Sequence, residues 1–464
     1  MSFKKKYLGD KAFYRSVIRL IIPIIIQQGI TNIVNLLDNV MVGSLGTEPM
    51  SGVAIVNQII FIFNLTIFGG ISGASIFGAQ FFGVGDNEGV RNTFRFKMIF
   101  GIVTSIAATA VFAVFGSSLI MLFLDNEANV DIDVSVTLHF ALDYLSVAII
   151  GLFPFMIVQV YTSTLREAGD TVAPMIASVI SIAVNFVLNI VLIFGFLFIP
   201  AMGVVGAAIA TVIARFVEMV YIIVYTHKNR DKHIFIQGVY RSLKVPSFLV
   251  FKIFRKGTPL LINEVLWSMG TTFVNQNYST RGLSVVAASN ISSTVWSMFC
   301  IIMFSMGSAI AIMVGQKLGA GKTEEARDAD RKLIFLTVAS NTVIGLLLIA
   351  ISPFIPLIYN TEADVRQLAT SFLIIAGASL PIHALIHATY FTIRSGGRTF
   401  ITFLFDSVYT WCVPVVISFF LCRFTSLSIV TIYFIVQFSD IIKIMIGLPM
   451  LKSGIWAKNI IKDN

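Results

Sequence analysis

A small set of polar side chains lies within long apolar stretches of the sequence, where an ion could be bound. Asp38 occurs late in the first stretch, and Asn185 and Asn189 are four residues apart in the fifth, so they share one face of a helix. Thr211 in the sixth stretch could join them. One carboxylate with amide and hydroxyl oxygens suits a sodium ion, or a proton held on the carboxylate. The alternative is a hydrogen-bonded cluster that only packs helices together.

Two acidic residues in the second half of the chain are further candidates for ion coupling. Glu264 and Asp406 occur in apolar stretches and have no basic neighbour in the sequence. A charge at the bilayer centre costs about 3 kcal/mol on insertion scales, so an acid kept there usually faces a cavity, has a partner or is functional. We predict that these residues bind a proton or a cationic substrate. The alternative is burial in the protonated form.

Charged residues of both signs near the end of each half predict an ion-pair cluster. Arg215 and Glu218 lie one helical turn apart and can neutralise each other. Asp440 and Lys443 occupy the same two places in the second half, with the signs reversed. This symmetry favours a structural or gating cluster over a substrate site.

The elements that must position these residues are membrane-spanning helices. The chain is 56% hydrophobic and 12% charged with a mean hydropathy of +0.88, which excludes a water-soluble protein. Its apolar stretches are long enough to cross a hydrocarbon core of about 30 Å, where the backbone must be helical. Twelve helices are predicted, at 15–38, 51–82, 98–117, 138–164, 172–195, 203–226, 256–280, 284–316, 333–351, 367–393, 399–421 and 427–449.

One motif occurs in each half of the chain. The pattern Gln-x-x-Gly-x-Gly-x-x-Glu-x-x-Arg runs from Gln80 to Arg91 and again from Gln316 to Arg327. Its glycines predict a tight turn. A nucleotide-binding loop is not predicted, because no Lys-Ser or Lys-Thr pair follows and no strand precedes. The motif therefore marks an internal duplication.

The duplication predicts an all-α integral membrane protein with two six-helix bundles. Because six is an even number, the two copies have the same orientation and are related by a pseudo-twofold axis along the membrane normal. We expect an N-lobe at 1–226, a cytoplasmic linker at 227–255 and a C-lobe at 256–464.

Basic residues are distributed unevenly between the two sides of the predicted membrane. Most of the 33 lysines and arginines fall on one side, including those at 228–256 and 317–332. The positive-inside rule assigns that side, and both termini, to the cytoplasm. The net charge of +9 therefore does not indicate a nucleic-acid partner.

Several of these motifs together resemble the multidrug and toxic-compound extrusion (MATE) family, over essentially the whole chain. They are the early-helix proline with Asp38-x-x-x-x-Gly43 following, the repeated Gln-x-x-Gly loop, and the stretch from Arg166 to Thr171. The resemblance implies two lobes around a central cleft, a monomer in a bacterial cytoplasmic (inner) membrane, and efflux of cationic or amphipathic small molecules. Sodium or proton entry would drive efflux, membrane lipids would surround the protein, and no cofactor is implied.

The resemblance also assigns an ion site. Bacterial members carry an Asp in the first helix, an Asn and an acid four apart in the fifth, and a Thr in the sixth. Asp38, Asn185 and Thr211 match, but Asn189 stands where the family has the acid, which removes one negative charge. Glu264 and Asp406 resemble a pattern of family members from Firmicutes and would carry part of the coupling.

Two other functions agree less well with the sequence. A flippase for a lipid-linked cell-envelope precursor would be expected to line its cleft with several arginines, but Arg19, Arg215 and Lys443 are the only lysines or arginines predicted to lie within the membrane. An intramembrane enzyme is not expected, because the sequence has no His-Glu-x-x-His motif and no serine–histidine pairing of the hydrolase type.

Overall fold

The protein is almost entirely helical. The structure is a computed structural model, and it describes residues 7–124, 133–196, 198–359 and 361–462. Apart from an isolated bridge between Phe196 and Ile199, these residues form helices, turns and short connections. The first six and the last two residues lie outside the described ranges, so the predicted side of the termini stays a prediction.

Twelve long helices span the described chain, which confirms the predicted fold class. Eleven are long and apolar enough to cross a membrane. The twelfth, α7, is less apolar: its first turns carry Lys252, Arg255 and Lys256, and Asn263 and Glu264 lie in its middle. The helices are α1 (Lys11–Gly43), α2 (Thr47–Val84), α3 (Asn87–Leu124), α4 (Val134–Glu167), α5 (Val172–Phe194), α6 (Gly203–Lys228), α7 (Ser247–Ser279), α8 (Leu283–Phe299 followed by Ile301–Gly319), α9 (Thr323–Ile351), α10 (Ala363–Ser395), α11 (Thr399–Phe424) and α12 (Ile429–Ser453).

Several helices are longer than the apolar stretches that predicted them. Helix α3 begins at Asn87 instead of 98, α7 at Ser247 instead of 256, and α9 at Thr323 instead of 333. The added turns contain charged residues, and hydropathy is low there. Backbone hydrogen bonding does not require apolar side chains, so a helix continues beyond the stretch that hydropathy detects.

Four helices are interrupted where the sequence predicted continuity. In α4, residues Ile149–Gly151 form a 3-10 turn. Cys300 separates the two segments of α8, and Asp440 separates two segments of α12. In α11, residues Leu404–Val408 form a π-helical turn that contains Asp406. Single π turns inside α-helices commonly occur at functional sites because they change the direction of a side chain.

The described chain divides into two compact units. The first, called here the N-unit, comprises Ile26–Gly78 and Asn87–Ile253. The second, the C-unit, comprises Met1–Ile25, Ala79–Asp86 and Phe254–Asn464. Pro23 in α1 and Pro259 in α7 both lie inside helices, near the points where these helices pass from one unit to the other.

The repeated motif makes a reciprocal contact within the C-unit. A Cβ atom on Gly83 would overlap the carbonyl oxygen of Gln316, and one on Gly319 would overlap that of Gln80. Gly85 and Gly321 have φ values of +79° and +75°. The predicted tight turn is therefore confirmed at the second glycine of each copy. The first glycine of each copy permits two helix ends to cross in backbone contact.

Residues 229–241 of the predicted linker are held against the N-unit. Asp170 accepts hydrogen bonds from Lys232 (2.5 Å), from the Tyr225 hydroxyl (3.2 Å) and from the Ala173 backbone N–H (3.2 Å). His233 Nε2 lies 3.3 Å from the same carboxylate. Burial alone would raise the pKa of Asp170, but the hydrogen bonds from His233 and Lys232 hold it well below its usual range.

The glycine crossing predicts the effect of adding single methyl groups. Gly83→Ala or Gly319→Ala should destabilise the protein by about 1–3 kcal/mol, because the added Cβ meets backbone that has no room to move. The measurement is thermal unfolding of the purified protein in detergent. Gly29→Ala is the matched control, since a Cβ there meets no atom within 4 Å and should stabilise α1 by about 0.5–1 kcal/mol. Equal effects at the three positions would contradict the contact.

The Asp170 contacts predict a pH-dependent stability difference. At pH 7, Asp170→Asn should lower the free energy of unfolding by about 1–3 kcal/mol, because hydrogen bonds to a buried charge are lost. A carboxylate with a lowered pKa stabilises the fold above its unfolded pKa of about 3.9 and loses that effect as the pH falls below it. The difference from wild type should therefore be constant above about pH 5 and shrink below about pH 4. Asp231→Asn, at an exposed neighbour, is the control; a variant as stable as wild type at pH 7 would contradict the role of Asp170.

Candidate functional site

A polar cavity of about 520 Å³ lies inside the N-unit. Helices α1, α2, α4, α5 and α6 contribute its walls. Its charged lining residues are Asp38 and Arg215, and asparagines supply much of the remaining polarity: Asn35, Asn39, Asn57, Asn64 and Asn189. Such a cavity is large enough for a small organic molecule, and its amides can orient one.

The structure brings together all four residues of the predicted N-terminal ion site. Asn189 Nδ2 donates to Asp38 Oδ1 at 2.6 Å. The Asn185 side-chain amide lies 3.2 Å from both Asp38 oxygens and 3.3 Å from the Thr211 hydroxyl. Asp38, Asn189 and Thr211 line the cavity, and Asn185 lies behind them, buried. The carboxylate therefore faces the cavity on one side and amide groups on the other.

Close packing of α5 and α6 produces this arrangement. Asn185 and Asn189 are one turn apart on α5, so both side chains project towards the same neighbours. Gly206 of α6 lies directly against the backbone of Leu192, where any Cβ would overlap the Leu192 carbonyl. This glycine allows the two helices to approach closely, and Thr211 follows little more than one turn later on the same helix.

The donor set suits a monovalent cation or a proton. Within the described part of the chain, no three or more His, Cys, Asp or Glu side chains are grouped to hold a metal ion, and Asp38 is the one carboxylate lining the cavity. The buried Asn189 side-chain oxygen has no hydrogen-bond partner among the described residues. An unpartnered oxygen beside a carboxylate is a ready ligand for a hard cation.

The predicted Arg215–Glu218 ion pair is present at 3.4 Å. The Arg215 guanidinium lies over the Phe155 ring, 4.9 Å from its centroid, and reaches the cavity. Glu218 is buried and accepts a 2.6 Å hydrogen bond from the Ser178 hydroxyl. The buried carboxylate is thus satisfied on one side by a hydroxyl and on the other by a partly exposed arginine.

A chain of short hydrogen bonds continues from Glu218 through Ser178 and Gln27 to Arg166. Gln27 Nε2 donates to the Ser178 hydroxyl at 2.6 Å, and Arg166 donates to Gln27 Oε1 at 2.6 Å. Arg166 belongs to a motif noted in the sequence, but its contact with Gln27 was not predicted, since the two residues are far apart in the sequence. Four helices supply this chain, so no local spacing could have revealed it.

The second predicted pair, Asp440 with Lys443, does not form. Lys443 Nζ lies 3.0 Å from Asp406 Oδ1, and Asp440 Oδ2 instead lies 3.4 Å from His383 Nε2. Asp406 therefore has a basic partner, contrary to the reading of the sequence. Asp406 lies in the π turn at Leu404–Val408. Asp440 and Lys443 are one helical turn apart, but contacts with residues distant in the chain determine their partners.

Asn263 completes the surroundings of Asp406 in the C-unit. Asn263 Nδ2 donates to Asp406 Oδ2 at 3.1 Å, and its side-chain oxygen accepts from the Ser407 hydroxyl at 2.7 Å. Glu264, the next residue in α7, is half-buried and within electrostatic range of Arg394 and Asp406. Glu264 and Asp406 thus lie in one neighbourhood, but only Asp406 is directly paired.

The N-unit contains a fully buried ion pair that was not predicted from the sequence. Lys97 Nζ lies 2.5 Å from Glu167 Oε1, and both side chains are almost wholly buried. The Lys97 ammonium also meets the hydroxyls of Ser163 and Thr164, each at 3.2 Å. Lys97 was assigned to a basic loop because the helix was predicted to begin at 98, whereas α3 includes it. The hydroxyls and the carboxylate together satisfy a charge that would otherwise be costly to bury.

Comparison with curated proteins finds relatives along almost the entire chain. A probable multidrug resistance protein, YoeA of Bacillus subtilis, is 24% identical over 422 residues, covering 90% of this chain and 89% of the relative. A probable multidrug resistance protein, NorM of Thermotoga maritima, is 24% identical over 446 residues, covering 96% of this chain and 93% of the relative.

Solved structures share the fold. A multidrug resistance MATE family transporter of the MOP superfamily in an outward-facing conformation matches with a TM-score of 0.85 at 20% identity, covering 96% of this chain and 97% of that chain. A MOP superfamily transporter from Pyrococcus furiosus Vc1, described as having a binding pocket of reverse polarity, also matches with a TM-score of 0.85 at 20% identity, covering 97% of each chain.

The family comparison agrees with the motifs and with the fold. The MatE family model matches residues 23–191 and 259–420, one block in each half of the duplicated chain. These blocks cover well over half of the sequence. This protein therefore belongs to the MatE family of membrane transporters.

Proposed function

We propose that this protein exports small cationic or amphipathic molecules, multidrug substrates among them, in exchange for sodium ions or protons. The observation that carries the proposal is the Asp38 carboxylate, which faces a 520 Å³ cavity and contacts buried amides. The multidrug resistance proteins to which the chain is similar support the same class of substrate. The role is transport and not catalysis.

The physical basis of exchange is the single negative charge at the site. A carboxylate in a membrane-enclosed cavity favours one positive charge beside it, and a second would be repelled. An organic cation and a coupling ion therefore compete for Asp38. Exposing the cavity alternately to the two sides of the membrane turns this competition into antiport, because each cation leaves only where the other can replace it.

Either sodium or a proton can serve as the coupling ion in this proposal. The Asp38 oxygens, the unpartnered Asn189 oxygen and the Thr211 hydroxyl provide oxygen ligands of the kind sodium requires. Asn189 replaces the second acid of the family pattern, so the site holds one negative charge fewer. Alternatively, a proton bound to Asp38 would neutralise this single negative charge. In the C-unit, Glu264 is the acid proposed to contribute to coupling, because no salt bridge of the described residues includes it, whereas Asp406 is paired with Lys443.

The proposal includes a position in the cell. We propose a monomer in a bacterial cytoplasmic membrane, with both termini in the cytoplasm as the distribution of basic residues predicts. The lobes at 1–226 and 256–464, joined by 227–255, would be the moving bodies. A flippase of lipid-linked precursors is less well supported, because Arg215 is the one basic residue that lines the N-unit cavity and Lys443 is paired with Asp406.

The role of Asp38 predicts a loss of coupled transport. In proteoliposomes with separately imposed sodium and proton gradients, wild-type protein should move ethidium under at least one gradient, and Asp38→Asn should lose that transport by at least about tenfold, since the cavity loses its carboxylate. Asp143→Asn is the matched control, because Asp143 is exposed in the same unit and outside the cavity lining. Undiminished ethidium transport by the Asp38 variant would refute the assignment.

The Asp406–Lys443 pair predicts a rescue between two variants. Lys443→Met leaves a largely buried carboxylate without its partner and should destabilise the protein by about 3–5 kcal/mol. Removing the remaining charge, in Asp406→Asn/Lys443→Met, should recover most of that loss. Thermal unfolding in detergent measures the cycle, with transport measured in parallel. Additive destabilisation in the double variant would mean that the two residues do not interact.

A further inference from the structure

Residues 228–252, between α6 and the first turns of α7, form a strongly basic surface on the N-unit. Six of these residues are Lys or Arg and one, Asp231, is acidic. Lys232 is paired with Asp170, but Arg230 and Arg241 form no salt bridge and no side-chain hydrogen bond within the described part of the chain. Positive charge on this surface is therefore available to a ligand.

Arg230 and Arg241 line one cavity of about 640 Å³, together with His227, Gln237 and Tyr240. Asp231 lines it too, so the two arginines exceed the one acid. Gly238 stands in the same wall with φ at +71°, which turns the backbone there, and a Cβ on it would lie 3.4 Å from Arg241 Cδ. Two guanidinium groups, an imidazole and an amide are the donors that recognise phosphate oxygens.

The walls of this cavity are held in place before any ligand arrives. Arg95 donates to the carbonyl oxygens of Val239 (2.9 Å) and Gly238 (3.3 Å), and Arg91 donates to that of Phe235 at 3.3 Å. These two arginines of α3 are therefore used to fix the backbone of the segment. Arg230 and Arg241 are exposed and make no such contact in the described part of the chain, so their guanidinium groups are available to a ligand.

Large apolar side chains are exposed in the segment that carries the basic cavity, and one of them, Tyr240, lines it. Tyr240, Leu243, Phe248 and Phe251 are each more than half exposed. The segment that carries them directly follows a membrane-spanning helix, which ends at Lys228. Aromatic and basic side chains together at the end of a spanning helix are typical of the membrane interface, where rings enter the headgroup region and cations meet phosphate.

We propose that the Arg230–Arg241 cavity binds the phosphate headgroup of an anionic phospholipid, while exposed apolar side chains of the same segment contact the lipid. Charge complementarity favours an anion, and the exposed apolar side chains favour a lipid over a water-soluble phosphate. The lipid would fasten residues 229–241 at the membrane surface. This inference is independent of the proposed transport function, and its test requires no transport.

The test is thermal unfolding of delipidated protein in detergent after addition of phosphatidylglycerol, phosphatidylcholine or millimolar inorganic phosphate. A ligand that binds only the folded state raises the unfolding temperature. Phosphatidylglycerol should raise that of wild type by several degrees more than phosphatidylcholine does. Arg230→Gln/Arg241→Gln should lose most of this difference, whereas Arg230→Lys/Arg241→Lys, which keeps the charges, should retain part of it.

Lys452→Gln/Lys458→Gln is the control for charge, since it removes two exposed cations elsewhere on the chain and should respond to phosphatidylglycerol as wild type does. Equal unfolding temperatures of all variants in phosphatidylcholine would verify that they are folded. An undiminished phosphatidylglycerol effect in the Arg230→Gln/Arg241→Gln variant would overturn the proposal. Inorganic phosphate producing the whole shift would also overturn it, because the site would then serve a soluble anion.

Discussion

A single carboxylate inside a membrane-spanning helix governs the organisation of the N-unit. Asp38 is costly to hold in a bilayer unless polar groups surround it, and the structure supplies them from two neighbouring helices. Asn189 donates to it at 2.6 Å, and the Asn185 amide lies 3.2 Å away. Both amides belong to α5, and Asn185 also lies 3.3 Å from the Thr211 hydroxyl of α6, where Gly206 allows the two helices to approach closely. The close packing of α5 with α6 and the polar surroundings of Asp38 therefore depend on the same helix.

The same rule, that a buried charge needs partners, explains the other ionisable groups. Lys97 and Glu167 are buried as a pair with hydroxyls around the ammonium. Asp406 has Lys443 on one oxygen and Asn263 on the other. Asp38 differs from these, because its partners are neutral amides and its carboxylate faces a cavity. Among the described residues Asp38 forms no salt bridge, although Arg215 lines the same cavity, so a mobile cation can reach its carboxylate.

The internal repeat preserves backbone contacts more strictly than charges. Gly83 and Gly319 make equivalent crossings with the opposite copy of the motif, and the glycines two positions later form equivalent turns. By contrast, the alignment that pairs these glycines places Val274 opposite Asp38 and Gln28 opposite Glu264. Where two helices are in close backbone contact, both copies of the repeat need a small residue at the crossing. An ion site needs its carboxylate in one copy only.

The sequence predicted the class of fold and the proximity of Asp38, Asn185, Asn189 and Thr211, because apolar stretches and the polar residues within them can be recognised without tertiary contacts. Hydropathy identifies spanning helices, and the four-residue spacing of Asn185 and Asn189 places them on one face. The sequence did not predict contacts between residues that are distant in the chain. Lys443 pairs with Asp406 and not with Asp440, and Arg166 donates to Gln27. Helix limits were also misjudged, since charged turns such as those of α3 continue the helix beyond the apolar stretch.

The most direct test of a shared cation site is the affinity of purified protein for a fluorescent cation such as ethidium, measured at increasing sodium concentration and, separately, at decreasing pH. If one cation at a time occupies Asp38, wild-type affinity should fall with one of these titrations, and Asp38→Asn should show weaker binding that neither titration changes. Dye affinity that is independent of both sodium and pH in the wild-type protein would contradict competition at Asp38.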